Sequence, residues 1–430
     1  ARRRFLKELA GGMAGLAVAP GVLGASRAAD RGDVGSPGAP DLRHGPGGPD
    51  ERFWARVKEQ FPLRDGLILL NAANLCPSPY PVQGRLFELT RDMDADASFQ
   101  NRAKFDELRE ASRTAVARLL GADPGEIALV RNTSEGNNTV VQGVELGPGD
   151  EVLLWDQNHP TNNVAWEVRA QRRGFSVRKV ATPRDPRDPD ALIAPFLDAL
   201  GPRTRLLAFS HVSNVSGQAL PAPRLCAEAR ERDVWTLVDG AQTFGALDVD
   251  LHGMGCDFYT GSAHKWFMGP REAGILYVRR ERVPELWAAD VGVGWESALE
   301  GGARKFETLG QRDDAALAAV ATAAAFHEAL GPDTIEARVR ELAGAVKRGI
   351  AERVPGVRIH TPKAKEMSAG VVVFDLPGIE GEKAFRRLYR DHGVAGAPRG
   401  GAFPGVRFCP HVYNTLADVE RAVEATASLT

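Results

Sequence analysis

Thr260-Gly261-Ser262-Ala263-His264-Lys265-Trp266 follows a short apolar run and sets a lysine beside a hydroxyl and an imidazole. A primary amine in that setting can form a Schiff base with a carbonyl cofactor. Ser262 and His264 suit a phosphate. Taken alone, Lys265 reads as a surface lysine. The upstream run Val234–Val238 changes that reading, because it ends on Asp239-Gly240-Ala241-Gln242. A carboxylate at the end of a buried strand needs a partner, and a protonated ring nitrogen of a cofactor is one. Without such a partner, Asp239 is a helix N-cap.

Three further apolar runs end on polar residues of matching kinds. Leu206–Ser210 leads to His211-Val212-Ser213-Asn214, where the Asn214 amide can donate to a cofactor oxygen. Ile127–Val130 leads to Thr133 and Ser134 at the start of a predicted helix. Hydroxyls and free backbone N–H groups at a helix N-terminus bind phosphate, although T-S-E alone is only an N-cap. Val152–Trp155 leads to His159, which can stack on a planar ring or serve a structural role.

The elements that must hold these residues form an alternating series. Lys104–Leu120 has helical apolar spacing, and Gly121 ends it. Seven apolar runs follow, at Ile127–Val130, Val152–Trp155, Ser176–Val180, Leu206–Ser210, Trp235–Val238, Phe258–Gly261 and Ile275–Val278. Helical patterns lie between several of them. This predicts an α/β fold with a mostly parallel seven-stranded sheet, and ligands on such sheets bind beyond the carboxyl ends of the strands. After Leu309 come two helices, a strand at Val371–Asp375, a helix at Gly381–His392 and a strand at Val406–Cys409, which predict a smaller α+β region. The expected division is a segment over 51–75, a large domain over 76–310 and a small C-terminal domain over 311–430.

The 430 residues are 43% hydrophobic and 26% charged, with a net charge of −2. These are globular values, and nothing in the charge points to nucleic acid. Four scattered cysteines, none in a C-x-x-C pair, fit neither a zinc site nor a disulfide framework. The first 30 residues carry Arg2, Arg3, Arg4, Lys7 and Arg27 against Glu8 and Asp30. An apolar stretch from Leu9 to Leu23 follows the basic start and is too short to span a bilayer. It reads as a secretory signal over 1–29, and R-R-x-F-L-K resembles a twin-arginine (Tat) export signal. The Gly/Pro-rich stretch over 30–50 reads as a linker. A Tat-exported, periplasmic or extracellular protein with no anchor left after cleavage is the expectation.

The strings N-T-S-E-G-N-N, S-H-V-S-N-V-S-G, V-D-G-A-Q and D-F-Y-T-G-S-A-H-K-W, followed by G-P-R-E-A-G-I-L-Y, resemble aminotransferase class V in kind and order. The resemblance covers roughly Arg52 to Thr430 and implies the type I fold of pyridoxal-phosphate enzymes. It implies Lys265 as the Schiff-base lysine and Asp239 as the partner of the pyridinium nitrogen. Gln242 and Asn214 would contact the phenolic oxygen. Thr133, Ser134, Ser262 and His264 would cradle the phosphate, with His159 stacked on the ring. Val406–Thr415 resembles the family's R-x-S-x-H-x-Y-N-T, so Arg407 would hold the substrate α-carboxylate, and Asn74 joins it as a substrate contact. Lys305–Asp313 resembles F-E-x-x-G-T-R-D, where a threonine reaches the neighbouring subunit's phosphate. Gln311 stands in that place, and the match implies a homodimer.

The shared cofactor chemistry fits racemisation, transamination and elimination alike. A desulfurase needs a nucleophilic cysteine on the loop before the carboxylate arginine, and Gly396–Gly405 has none. The strings are nearest the isopenicillin N epimerase-like branch, which includes Tat-exported members that modify peptide siderophores. Binding without turnover is the other class, and a pure binder needs no Schiff-base lysine. No G-x-G-x-x-G follows a predicted strand, which counts against a nicotinamide dehydrogenase.

Overall fold

The structure is a computed structural model that describes residue 42 and residues 48–430. The Arg2–Lys7 pattern, its apolar stretch and most of the Gly/Pro-rich stretch lie outside the described residues. Among the described residues, no helix is long and apolar enough to cross a membrane.

After the two-residue strand β1 (Ile68–Leu69) come the strands of the main sheet. They are β2 (Ile127–Val130), β3 (Glu151–Trp155), β4 (Ser176–Val180), β5 (Thr204–Ser210), β6 (Trp235–Asp239), β7 (Phe258–Ser262) and β8 (Gly274–Val278). Their order across the sheet is β2-β8-β7-β6-β5-β3-β4. Strands β3 to β7 pair in parallel, while β8 is antiparallel to both β7 and β2. The fold is therefore the expected α/β architecture with a mostly parallel seven-stranded sheet.

The apolar runs are continuous because both sheet faces are covered. Alternate residues go to opposite cores. Leu153, Trp155, Phe209, Val238 and Tyr259 pack on one face. Val152, Leu154, Ala208, Leu237 and Phe258 pack on the other. The helix Lys104–Leu119 ends as expected, with Gly121 in the left-handed region at φ 58°. Two strands run one residue further than the apolar pattern. Asp239 still pairs with Ser210 and Thr260, and Ser262 pairs with Gly274. Asp239 is thus the last residue of a buried strand, not a helix cap.

A second sheet contains β9 (Arg358–Ile359), β10 (Val372–Asp375), β12 (Ala397–Arg399) and β13 (Gly405–Phe408), in the order β12-β13-β10-β9 and antiparallel throughout. Its Val372, Phe374, Val406 and Phe408 pack on Leu342, Val346, Leu388 and Val419 from three helices. Strand β11 (Val394–Ala395) pairs in parallel with β1. Trp266, which follows the candidate lysine, is fully buried among Phe53, Phe326, Val373 and Tyr413.

Two buried histidines, His327 and His411, and the half-buried His211 make the fold acid-sensitive. Burial pushes His211 and His327 down to about 4, and His411 to about 3. Nε2 of His411 donates to the Trp266 carbonyl at 2.7 Å, and its Nδ1 accepts from Val412 N at 2.8 Å. A proton on Nδ1 would break the second bond. Between their ordinary 6.5 and about 4, the unfolded chain binds more protons, so stability rises with pH across that window. The melting temperature should fall steadily as pH drops through this interval. His327→Gln should flatten the slope, and an unchanged slope would remove His327 from the account.

Candidate active site

Strands β2, β3, β5, β6 and β7 point the same way, so the polar residues after their carboxyl ends meet on one sheet edge. A cavity there is lined by Thr133, Ser134, His159, Asn214, Asp239, Gln242, Ser262, His264 and Lys265. Nine sequence-predicted residues from five strand ends are thus brought together. Asn132, Asn137 and Asn162 also line it.

One wall is an anion cradle. The helix Thr133–Gly143 begins here, with the Asn132 side chain accepting from Glu135 N. Its N-terminus offers the Ser134 N–H and the positive end of the helix dipole. The Ser262 hydroxyl accepts from Thr133 N at 2.9 Å and lies 2.8 Å from Thr133 Oγ1. This ties β7 to the helix start and fixes both hydroxyls at the cavity. His264, also on the lining, is pushed down to about 4 by burial and then by Lys265. At neutral pH it is an uncharged hydrogen-bonding group.

The floor is Asp239, 3% exposed. Its Oδ2 accepts from Asn137 Nδ2 at 3.0 Å, and its Oδ1 accepts from Ala241 N at 3.0 Å. Asn137 is held in turn by Thr260, whose hydroxyl donates to Asn137 Oδ1 at 2.8 Å. Asn137 lies within the N-T-S-E-G-N-N string, but only the packing of its helix against β6 and β7 reveals its role. Asn137→Ala should loosen the carboxylate without touching the amine. A lost hydrogen bond to a charged group is worth ~1.5–3 kcal/mol. Pyridoxal phosphate should therefore bind roughly tenfold or more weakly, measured by spectral titration. Unchanged affinity would refute this. Gln242 is pinned by donating to the Ala73 carbonyl at 3.2 Å and accepting from Trp266 Nε1 at 2.8 Å.

Lys265 is half-buried and faces the cavity. Burial pushes its pKa down, Asp239 partly offsets this, and Arg407 adds to the lowering. His159 caps the next helix, its Nδ1 accepting from Thr161 N at 3.3 Å. Burial and Lys265 lower its pKa as well. Asn162 is 1% exposed, and neither atom of its amide has a hydrogen-bond partner.

Arg407 reaches towards this cavity from β13. It is 2% exposed and has no carboxylate partner among the described residues. Its Nη1 donates to the Asn214 carbonyl at 3.3 Å, and its Nη2 to Asn71 Oδ1 at 2.9 Å. The asparagine on this guanidinium is Asn71, because Asn71 bridges Cys409 beside β13. Asn74 is exposed on the following turn. Gln311 is also exposed and away from the cavity lining, accepting from Arg102 Nη2 at 2.7 Å. All four cysteines are free and buried. Burial raises their thiol pKa values, that of Cys226 to about 12.

The donor set fits pyridoxal phosphate. The helix start with Thr133 and Ser262 matches a phosphate, and buried Asp239 matches a cationic ring nitrogen. The half-buried amine of Lys265 matches an aldehyde.

The chain matches the family described as Aminotransferase class-V over residues 87–421. Isopenicillin N epimerase of Streptomyces clavuligerus is 34% identical over 395 residues, which cover 88% of this chain and 98% of that protein. Isopenicillin N epimerase of Amycolatopsis lactamdurans is 35% identical over 399 residues, covering 87% and 98%. The crystal structure of the cysteine desulfurase CsdA from Escherichia coli superposes with a TM-score of 0.75 at 27% identity, covering 86% of this chain and 97% of that one.

Proposed function

The chain belongs to the aminotransferase class-V family, and from that premise we propose a pyridoxal-phosphate enzyme acting at the α-carbon of an amino acid or a peptide-linked amino-acid group. Its chemistry is epimerase-like or aminotransferase-like. The observation that carries this is one cavity shared by a half-buried amine and a buried carboxylate, and next to its Asn214 a buried guanidinium with no acid partner among the described residues. When bound, the cofactor supplies an electron sink for charge developing at the substrate α-carbon. Asp239, fixed by Asn137 and Ala241 N, would hold a proton on the ring nitrogen. Arg407 holds the α-carboxylate through a paired contact. Lys265 Nζ has a lowered pKa and moves the α-proton as a general base and acid. His159, on the cavity lining, would cover the ring.

The test is incubation with L- and D-amino acids and short peptides in deuterium oxide. Exchange at the α-carbon with inversion supports epimerisation, a keto acid supports transamination, and a released thiol or amine supports elimination. Absence of both exchange and product across the series would overturn the reading.

Two further elements belong to the proposal. Export through the Tat pathway, with action on a secreted peptide such as a siderophore, is supported by the Arg2–Lys7 pattern. A homodimer is supported by exposed Phe99, Trp287 and Val293, at 87%, 61% and 104% exposure. Secretion of a reporter fused to residues 1–50 tests the first. Sedimentation tests the second.

A further inference from the structure

The register of the β12–β13 hairpin places a second arginine beside the carboxylate site. Ala397 pairs with Arg407, and Arg399 pairs with Gly405. Residues two apart on a strand share a face, so Arg399 and Arg407 lie on the same face as diagonal neighbours. Diagonal pairs are ~7–8 Å apart and within reach of long side chains. Each arginine faces a residue with little or no side chain, so neither is screened by its direct partner.

Neither arginine meets an acid among the described residues. Among the described residues, Arg399 makes no ion pair, and its buried Nε has no hydrogen-bond partner. Arg407 Nε is also buried and unpartnered. Burial lowers the Arg399 pKa to about 10, and Arg407 is the next cause. Both guanidiniums depress the pKa of His159, so both act on the cavity. Arg407 also acts on Lys265, and Arg399 is not among the causes there. Arg407 donates to the carbonyl of Asn214, which lines the cavity with Lys265, and Arg399 lies one diagonal step along the hairpin from it. Two close, partly desolvated cations without a counter-charge are costly, and an anionic ligand offsets that cost.

We infer that Arg399 forms a second anion subsite beside Arg407, so that the substrate is an amino acid or amino-acid group whose side chain ends in a carboxylate. This rests on the proposed reading of the cavity as a pyridoxal-phosphate site. Arg407 takes the α-carboxylate near Lys265, and Arg399 takes the distal one.

The test compares binding of aspartate, glutamate and the homologue one methylene longer with binding of their side-chain amides. Calorimetry on the holoenzyme gives affinity, and the visible band of the bound cofactor gives an independent readout. At least one acid should bind roughly tenfold or more tightly than its amide, as a charge-assisted contact implies. Arg399→Gln should abolish that preference while leaving amide binding and the visible band unchanged. Arg399→Lys should keep part of it. Equal binding of every acid and its amide, or equal weakening of both in Arg399→Gln, would overturn the inference. A wild-type protein with no visible band after added pyridoxal phosphate would instead overturn the cofactor reading.

Discussion

Lys265→Ala should yield a folded protein that takes up pyridoxal phosphate without developing the wild-type visible band. Turnover should fall by at least ~10³, since both nucleophile and proton carrier are lost. The amine sits at the end of β7, where the Ser262 hydroxyl and the buried Trp266 fix the backbone on either side. Truncation removes no hydrogen bond from the fold, so circular dichroism and melting should change little. Lys265→Arg separates charge from chemistry. It keeps a cation facing Asp239 but supplies no neutral amine, and it should be equally inactive. Burial lowers the Lys265 pKa, so the wild-type amine reacts with added cofactor at lower pH than an ordinary lysine does. The rate of band formation should rise with pH as that lowered pKa is passed. A Lys265→Ala protein that keeps the band or the turnover would place the reactive amine elsewhere.

The chemistry at the strand ends was legible because the main sheet is buried on both faces. Its strands read as continuous apolar runs, and polar residues stand out where the runs stop. Asp239 and Lys265 are singled out in this way, and the cavity contains both. What stayed hidden depends on register between segments far apart in sequence. Asn137 looks like any helix residue until Thr260 and Asp239 are seen beside it. Asn71, rather than Asn74, meets Arg407 because a bridge to Cys409 sets that segment's register. Strands β1 and β11 are two residues each, too short for any periodicity. Arg399 is one of many arginines until β12 pairs with β13.

Arg407→Ala should keep the cofactor and lose the substrate. The guanidinium is positioned by the Asn214 carbonyl, Asn71 Oδ1 and the β13 register, all independent of Asp239 and the helix start that would hold the cofactor. Truncating a buried partner of a charge pair costs ~2–5 kcal/mol. The KM for amino acids should therefore rise roughly 30-fold to several thousand-fold, with the visible band intact. Arg407→Lys should recover part of the loss, since it restores charge but not the paired geometry. A second effect separates this role from a purely structural one. Arg407 is one of the groups lowering the Lys265 pKa, so removing it should raise that pKa. The pH profile of band formation should shift towards higher pH in Arg407→Ala and stay near wild type in Arg407→Lys. A lost structural contact would move stability but leave that profile in place. Unchanged substrate affinity together with an unmoved profile would take Arg407 out of the site and remove the anchor that sets the substrate α-carbon against Lys265.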